Sequence, residues 1–98
     1  MMNDSYTQTI RRLRSVGIST FIKYYFVFKF YPQEKCIQAF DEADSQISES
    51  SKVTKTNAAK SLFRDGLHLD ALRYIRDSAA KIPHQRKQEA AWYLQLEE

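Results

Sequence analysis

The scarcity of chain-breaking residues is the feature that most constrains how this sequence can fold. Only two glycines and two prolines occur among its 98 residues. An all-β domain of this length needs many turns and normally uses more of both residue types in them. The sequence therefore predicts few, long elements. We expect an all-α fold, a compact bundle of about five to six short helices built from helical hairpins.

The first half of the chain is divided by Gly17 and Pro32. Glycine is favoured immediately after a helix, and proline is favoured in the first turn of one. Apolar residues recur at helical spacing on both sides of these two positions. We therefore expect three helices in this half, over about residues 6–16, 19–31 and 32–43.

A change of composition separates the two halves. From Asp44 to Ser51 the chain is serine-rich and acidic, with a single apolar residue. This composition favours a linker, which we place at residues 44–53. Residues 1–98 then form one domain with a helical half over 6–43 and another over 54–96. The helices expected in the second half cover about residues 54–65, 67–79 and 83–96, with Gly66 at the first turn.

The segment over residues 19–31 is open to two interpretations. Its apolar side chains also alternate with the period of a β-strand, from Ile22 through Tyr24 and Phe26 to Phe30. A helix is favoured because no other segment resembles a strand, and a single strand would leave its backbone groups unpaired. A strand here would have to pair with a second copy of the chain.

Side chains that could carry out catalysis or bind metal are few and scattered. His68 and His84 fall in separate predicted helices, and neither has a cysteine or a paired carboxylate at metal-ligand spacing. The single cysteine, Cys36, lies on an apolar helix face, where a thiol usually acts as a small buried side chain. The sequence thus predicts no enzyme, no cofactor and no metal site. One unpaired cysteine also favours a reducing, cytoplasmic location.

An excess of aromatic residues is the strongest indication of a partner. Seven aromatic side chains fall between Phe21 and Tyr31, too many for one helix to turn inward. Aromatic residues are frequent binding hot spots at protein interfaces. We therefore expect a homodimer or another protein complex. The predicted partner-binding residues are Tyr24, Tyr25, Phe28, Phe30 and Tyr31.

Clustered basic residues support an alternative function, nucleic-acid binding. The chain has a formal net charge of +3, and basic side chains on one helix face can contact phosphates. The residues concerned are Arg11, Arg12, Arg14, Lys52, Lys55, Lys60 and Arg64. A solvated helix face explains the same pattern and is favoured over it. A third hypothesis, a helix lying on an anionic membrane, is disfavoured.

The region from Lys55 to Pro83 resembles one tetratricopeptide repeat, a helical hairpin. The positions that carry the resemblance are Ala59, Leu62, Gly66, Ala71, Ile75, Ser78 and Pro83. The resemblance implies that two antiparallel helices approach at Ala59 and Ala71, with Gly66 at the turn. It also implies protein binding. The leading hypothesis is a small non-enzymatic regulator, adaptor or immunity-type protein that binds another protein.

Overall fold

Seven helices make up the part of the chain that the computed structural model describes, residues 4–43, 48–78 and 82–97. No strand occurs in these ranges, so the all-α prediction is confirmed. None of the helices there is long and apolar enough to cross a bilayer. The helices are α1 (Asp4–Val16), α2 (Ile18–Lys23), α3 (Tyr25–Phe30), α4 (Gln33–Ala43), α5 (Glu49–Arg64), α6 (His68–Asp77) and α7 (His84–Glu97).

The helices are arranged around one apolar core. Helix α1 packs mainly on α5, and α6 packs mainly on α7. Helices α2 and α3 contribute four large side chains to this core: Phe21, Ile22, Tyr25 and Phe28 are all at most 1 % exposed. Burial of each such side chain contributes about 1.5–3 kcal/mol to stability. One side of the aromatic segment therefore forms the centre of the fold.

The helix expected over residues 19–31 is present but bent at Tyr24, which separates α2 from α3. This is why seven helices are found where five to six were expected. Tyr24 lies outside the helical region, at φ −109° and ψ 25°, yet its N–H donates to the carbonyl of Thr20 at 3.0 Å. The Tyr24 ring packs against Phe40 of α4, with 5.1 Å between centroids. The bend lets α2 contact α7 while α3 contacts α4 and α5.

The linker prediction is wrong for residues 49–53, which are helical. Helix α5 begins earlier than expected because Ser48, and not Thr54, is its N-cap, with a side-chain oxygen that accepts from the Ser51 N–H at 3.2 Å. Thr54, the expected start, lies inside the helix. A serine-rich segment favours both loops and helix N-caps, and here the second preference prevails. Residues 44–47 of the predicted linker lie outside the described residues.

Gly66 occupies the turn between α5 and α6, as predicted. Its φ of +71° is in the left-handed region, and the N–H of Leu67 donates to the carbonyl of Leu62 at 2.8 Å. This bond, with one from the Gly66 N–H to Phe63, makes a Schellman motif. Helices α5 and α6 then contact each other over only a short stretch. The tetratricopeptide-like unit stays a prediction.

Helix α6 ends at Asp77, short of the predicted end at residue 79. Ser78 has an extended backbone, with φ −69° and ψ 137°, and therefore terminates the helix. Residue 79 itself lies outside the described residues. The last helix begins at His84, directly after Pro83, whose carbonyl accepts from the N–H of Arg86 at 3.0 Å.

Candidate functional site

The five predicted partner-binding aromatics are divided between the core and the surface. Tyr25 and Phe28 are buried, so neither side chain can contact a partner unless the core opens. Tyr24 is half-buried against Phe28 and Phe40. Phe30 and Tyr31 are exposed, with relative accessibilities of 66 % and 53 %. Of the five predicted partner-binding residues, these last two therefore have side chains exposed enough to contact a partner.

An aromatic ridge runs along α3 and α7, and we define it as the exposed Phe26, Phe30 and Trp92 with the half-buried Tyr93. Phe26 stacks on Phe30 with 5.9 Å between ring centroids. Tyr93 links the two helices, because its ring lies 5.1 Å from Phe26 and 5.2 Å from Trp92. Phe26 and Trp92 were missed from sequence. Phe26 lies in the aromatic segment and Trp92 in the last helix, and no sequence pattern indicates that these two segments meet.

Lysine side chains of α5 are directed at the ends of neighbouring helices. Lys55 Nζ donates to the carbonyl of Val16 at 3.0 Å, at the C-terminus of α1. Lys60 Nζ donates to the carbonyl of Tyr31, just beyond the C-terminus of α3. A helix C-terminus presents unpaired carbonyls and a partial negative charge, which a cation stabilises. These two members of the predicted nucleic-acid site therefore act as helix caps.

The remaining predicted nucleic-acid residues differ in their exposure and contacts. Lys52 is buried, with 7 % of its side chain exposed. Arg12 and Arg64 both contact the carboxylate of Asp65, at 2.6 and 3.1 Å. The hydrogen bonds from Arg64 and Arg12 lower the pKa of Asp65 to about 2. The two others, Arg11 and Arg14 on α1, are exposed.

A buried polar cluster at the end of α7 was not foreseen, and we call it the Glu97 cluster: Tyr25, Lys29, His68 and Glu97. The Tyr25 hydroxyl donates to Glu97 Oε2 at 2.8 Å. Lys29 Nζ donates to the other carboxylate oxygen, and His68 Nε2 lies 3.8 Å from Oε2. The Glu97 side chain is only 14 % exposed. The carboxylate thus ties α7 to α3 and lies beside His68 of α6.

Burial and the neighbouring charges shift the pKa values of this cluster. Burial raises the pKa of Glu97, but hydrogen bonds from Lys29 and Tyr25 outweigh it, so the net pKa is lowered. Burial lowers the pKa of His68, and the charge of Glu97 opposes this only in part. Burial, followed by the hydrogen bond to Glu97, raises the pKa of Tyr25. The favoured state is an ionised glutamate beside a neutral histidine and a neutral tyrosine.

The other reactive residues have structural surroundings. The Cys36 thiol is buried and lies 3.4 Å from the carbonyl of Val27 and 3.6 Å from that of Tyr31. Burial raises its pKa, which disfavours the reactive thiolate. His84 is exposed at the start of α7. Within residues 4–43, 48–78 and 82–97, no group of three histidine, cysteine or acidic side chains is placed to hold a metal ion.

Comparison with known proteins does not assign the chain to a family. No protein-family model matches it, and no significant match is found among curated proteins or solved structures.

Proposed function

We propose that this protein is a small, non-enzymatic regulator, adaptor or immunity-type protein that binds another protein through the aromatic ridge. The observation that carries the proposal is the pair of stacked, exposed rings of Phe26 and Phe30. Exposed aromatic side chains that contact one another are typical of binding hot spots, whereas scattered single ones need no explanation. The buried thiol of Cys36 suits a reducing, cytoplasmic location.

Binding has more support than catalysis because Glu97, a largely buried carboxylate, is already engaged by contacts within the fold. Both oxygens of Glu97 accept hydrogen bonds, from Lys29 and from Tyr25. A carboxylate held in this way joins helices, and the Lys29 ammonium offsets its negative charge. The nucleic-acid alternative has less support than the ridge, since Lys55 and Lys60 donate to backbone carbonyls.

Site-specific photocrosslinking tests the proposal. Phe30 is replaced by a photoreactive phenylalanine analogue, and crosslinking is carried out in the source cell with and without nuclease treatment. Phe30 is exposed, so the replacement should be tolerated. We expect a crosslinked protein whose recovery is unchanged by nuclease and whose added mass differs from that of one further chain.

Tyr6 supplies the matched control, because it is a 52 % exposed aromatic residue on α1, with its ring 6.4 Å from Tyr74. The analogue at position 6 should not capture the same protein. Equal capture from both positions would contradict a specific ridge. Capture that disappears with nuclease would favour the nucleic-acid alternative, and the exposed Arg11 and Arg14 would then be the first residues to replace.

A further inference from the structure

The outward face of α7 carries no aspartate, glutamate, lysine or arginine. Six residues of this helix are exposed, and they lie along one side of it at the spacing of successive helical turns. They are His84, Gln85, Gln88, Trp92, Gln95 and Leu96. We call this face the amide stripe.

Helix α7 does contain charged residues, but their side chains lie off its outward face. Arg86 and Glu89 pair at 2.6 Å with only 27 % and 37 % of their side chains exposed. Lys87 is half-buried, and Glu97 belongs to the Glu97 cluster. Charged side chains normally occupy the solvent face of a surface helix. Their absence from the outward face and the central tryptophan match two features of an interface core, the depletion of charged residues and the enrichment of aromatic ones.

We propose that the amide stripe is the contact between two copies of this chain, packed with their α7 helices antiparallel about a two-fold axis. Trp92 belongs to both the amide stripe and the aromatic ridge, but the inference does not require a partner at the ridge. It commits to a second copy because the chemistry of the stripe is complementary to itself.

Three features support a second copy over another occupant. Glutamine has both donors and acceptors, so Gln85, Gln88 and Gln95 can pair with the same residues across a two-fold axis. The molecule has a net charge of +3, and two copies avoid repulsion best where the contact surface is uncharged. An acidic or a nucleic-acid partner would need basic residues, which the stripe lacks.

The size of the stripe sets the expected affinity. Helix α7 has 14 residues, and at 1.5 Å per residue it is about 20 Å long. Trp92 and Leu96 are each a little over half exposed, and they supply the apolar part of the contact. Such a pair of helices is at the low end of interface sizes. A dimer with a dissociation constant in the micromolar range is therefore expected.

A reciprocal charge test follows from the two-fold arrangement. Gln88 and Gln95, seven residues apart on the stripe, are both replaced by lysine in one variant and both by glutamate in another. Each variant places like charges across its own two-fold axis, whereas a mixture of the two places opposite charges there. The readout is the weight-average mass from light scattering coupled to size exclusion over a hundredfold dilution series.

We expect the unmodified chain to dissociate within that series and each variant to associate at least tenfold more weakly. An equimolar mixture of the two variants should recover at least the original association. The matched control changes Ser50 and Thr54, exposed residues on α5, to lysine, and its dimer should be unaffected.

Trp92 provides a second readout, because it is the only tryptophan of the chain. Its emission should shift to shorter wavelength as the dimer forms and should stay unshifted in the lysine variant. The proposal is overturned by a mass of one chain at every concentration. It is equally overturned if both variants associate as the unmodified chain does, or if mixing them restores nothing.

Discussion

Helices α6 and α7 pack against each other but distribute their charges in opposite ways. All four exposed residues of α6 are charged: Asp70, Arg73, Arg76 and Asp77. The exposed residues of α7 include no aspartate, glutamate, lysine or arginine. Two helices in one small domain face the same solvent, so solvation alone cannot explain the difference. A charged face suits a surface that stays in water, and an uncharged face suits one that is covered by protein.

The charged residues of the two helices also contribute differently to stability. On α6, Arg73 pairs with Asp70 at 3.1 Å, and both side chains are more than 40 % exposed. On α7, Glu97 is nearly buried and is held by Lys29 and Tyr25. An exposed pair is weakened by solvent screening and contributes little. A buried carboxylate with two donors is costly to remove, because its partners lose their compensation.

The largest effect that separates the two helices should come from Glu97→Gln. The neutral side chain keeps its shape but no longer compensates the Lys29 ammonium, so we expect the free energy of unfolding to fall by about 2 kcal/mol. Chemical denaturation monitored by circular dichroism measures this. The matched change on α6, Asp70→Asn, should cost less than about 0.5 kcal/mol. Equal losses of stability in the two variants would contradict the larger contribution expected of the charge on α7.

A smaller loss of stability is expected from a substitution at Gly66, in the turn before α6. Gly66 has φ +71°, and no atom lies within 4 Å of the position a β-carbon would take. Gly66→Val should therefore destabilise through backbone strain alone, by about 1 to 2 kcal/mol. Gly66→Asn is the control, since asparagine tolerates the left-handed region and should cost less. An unchanged denaturation midpoint for the valine variant would contradict the conformation of the turn that sets the start of α6.

The smallest expected effect is in the pH dependence of stability. The folded-state pKa values of Glu97 and His68 are both lowered. Each group therefore adds stability above its unfolded pKa, about 4.3 for glutamate and about 6.5 for histidine, and loses it as the pH falls. The free energy of unfolding should decline below about pH 6.5. His68→Gln should remove the upper part of that decline, and Asp70→Asn should leave it in place.

The sequence by itself determined the class of fold and most helix boundaries. Gly17, Pro32, Gly66 and Pro83 mark ends and starts that the structure also has. These boundaries follow from rules that act over a few residues, such as the conformational freedom of glycine and the missing N–H of proline. The start of α5 was misplaced by the same local physics, because Ser48 and Thr54 are both acceptable caps.

Tertiary structure alone decided which face of each helix is covered and by what. Helical spacing groups Tyr25 with Phe28, but it cannot say that α4, α5 and α7 enclose them while Phe26 and Phe30 stay outside. In the sequence, the lysines of α5 form a plausible phosphate-binding face. In the fold, two of them donate to the carbonyls of Val16 and Tyr31. Tyr25 meets Glu97 across 72 residues of sequence. Contacts over such separations depend on how whole helices pack, which no local pattern encodes.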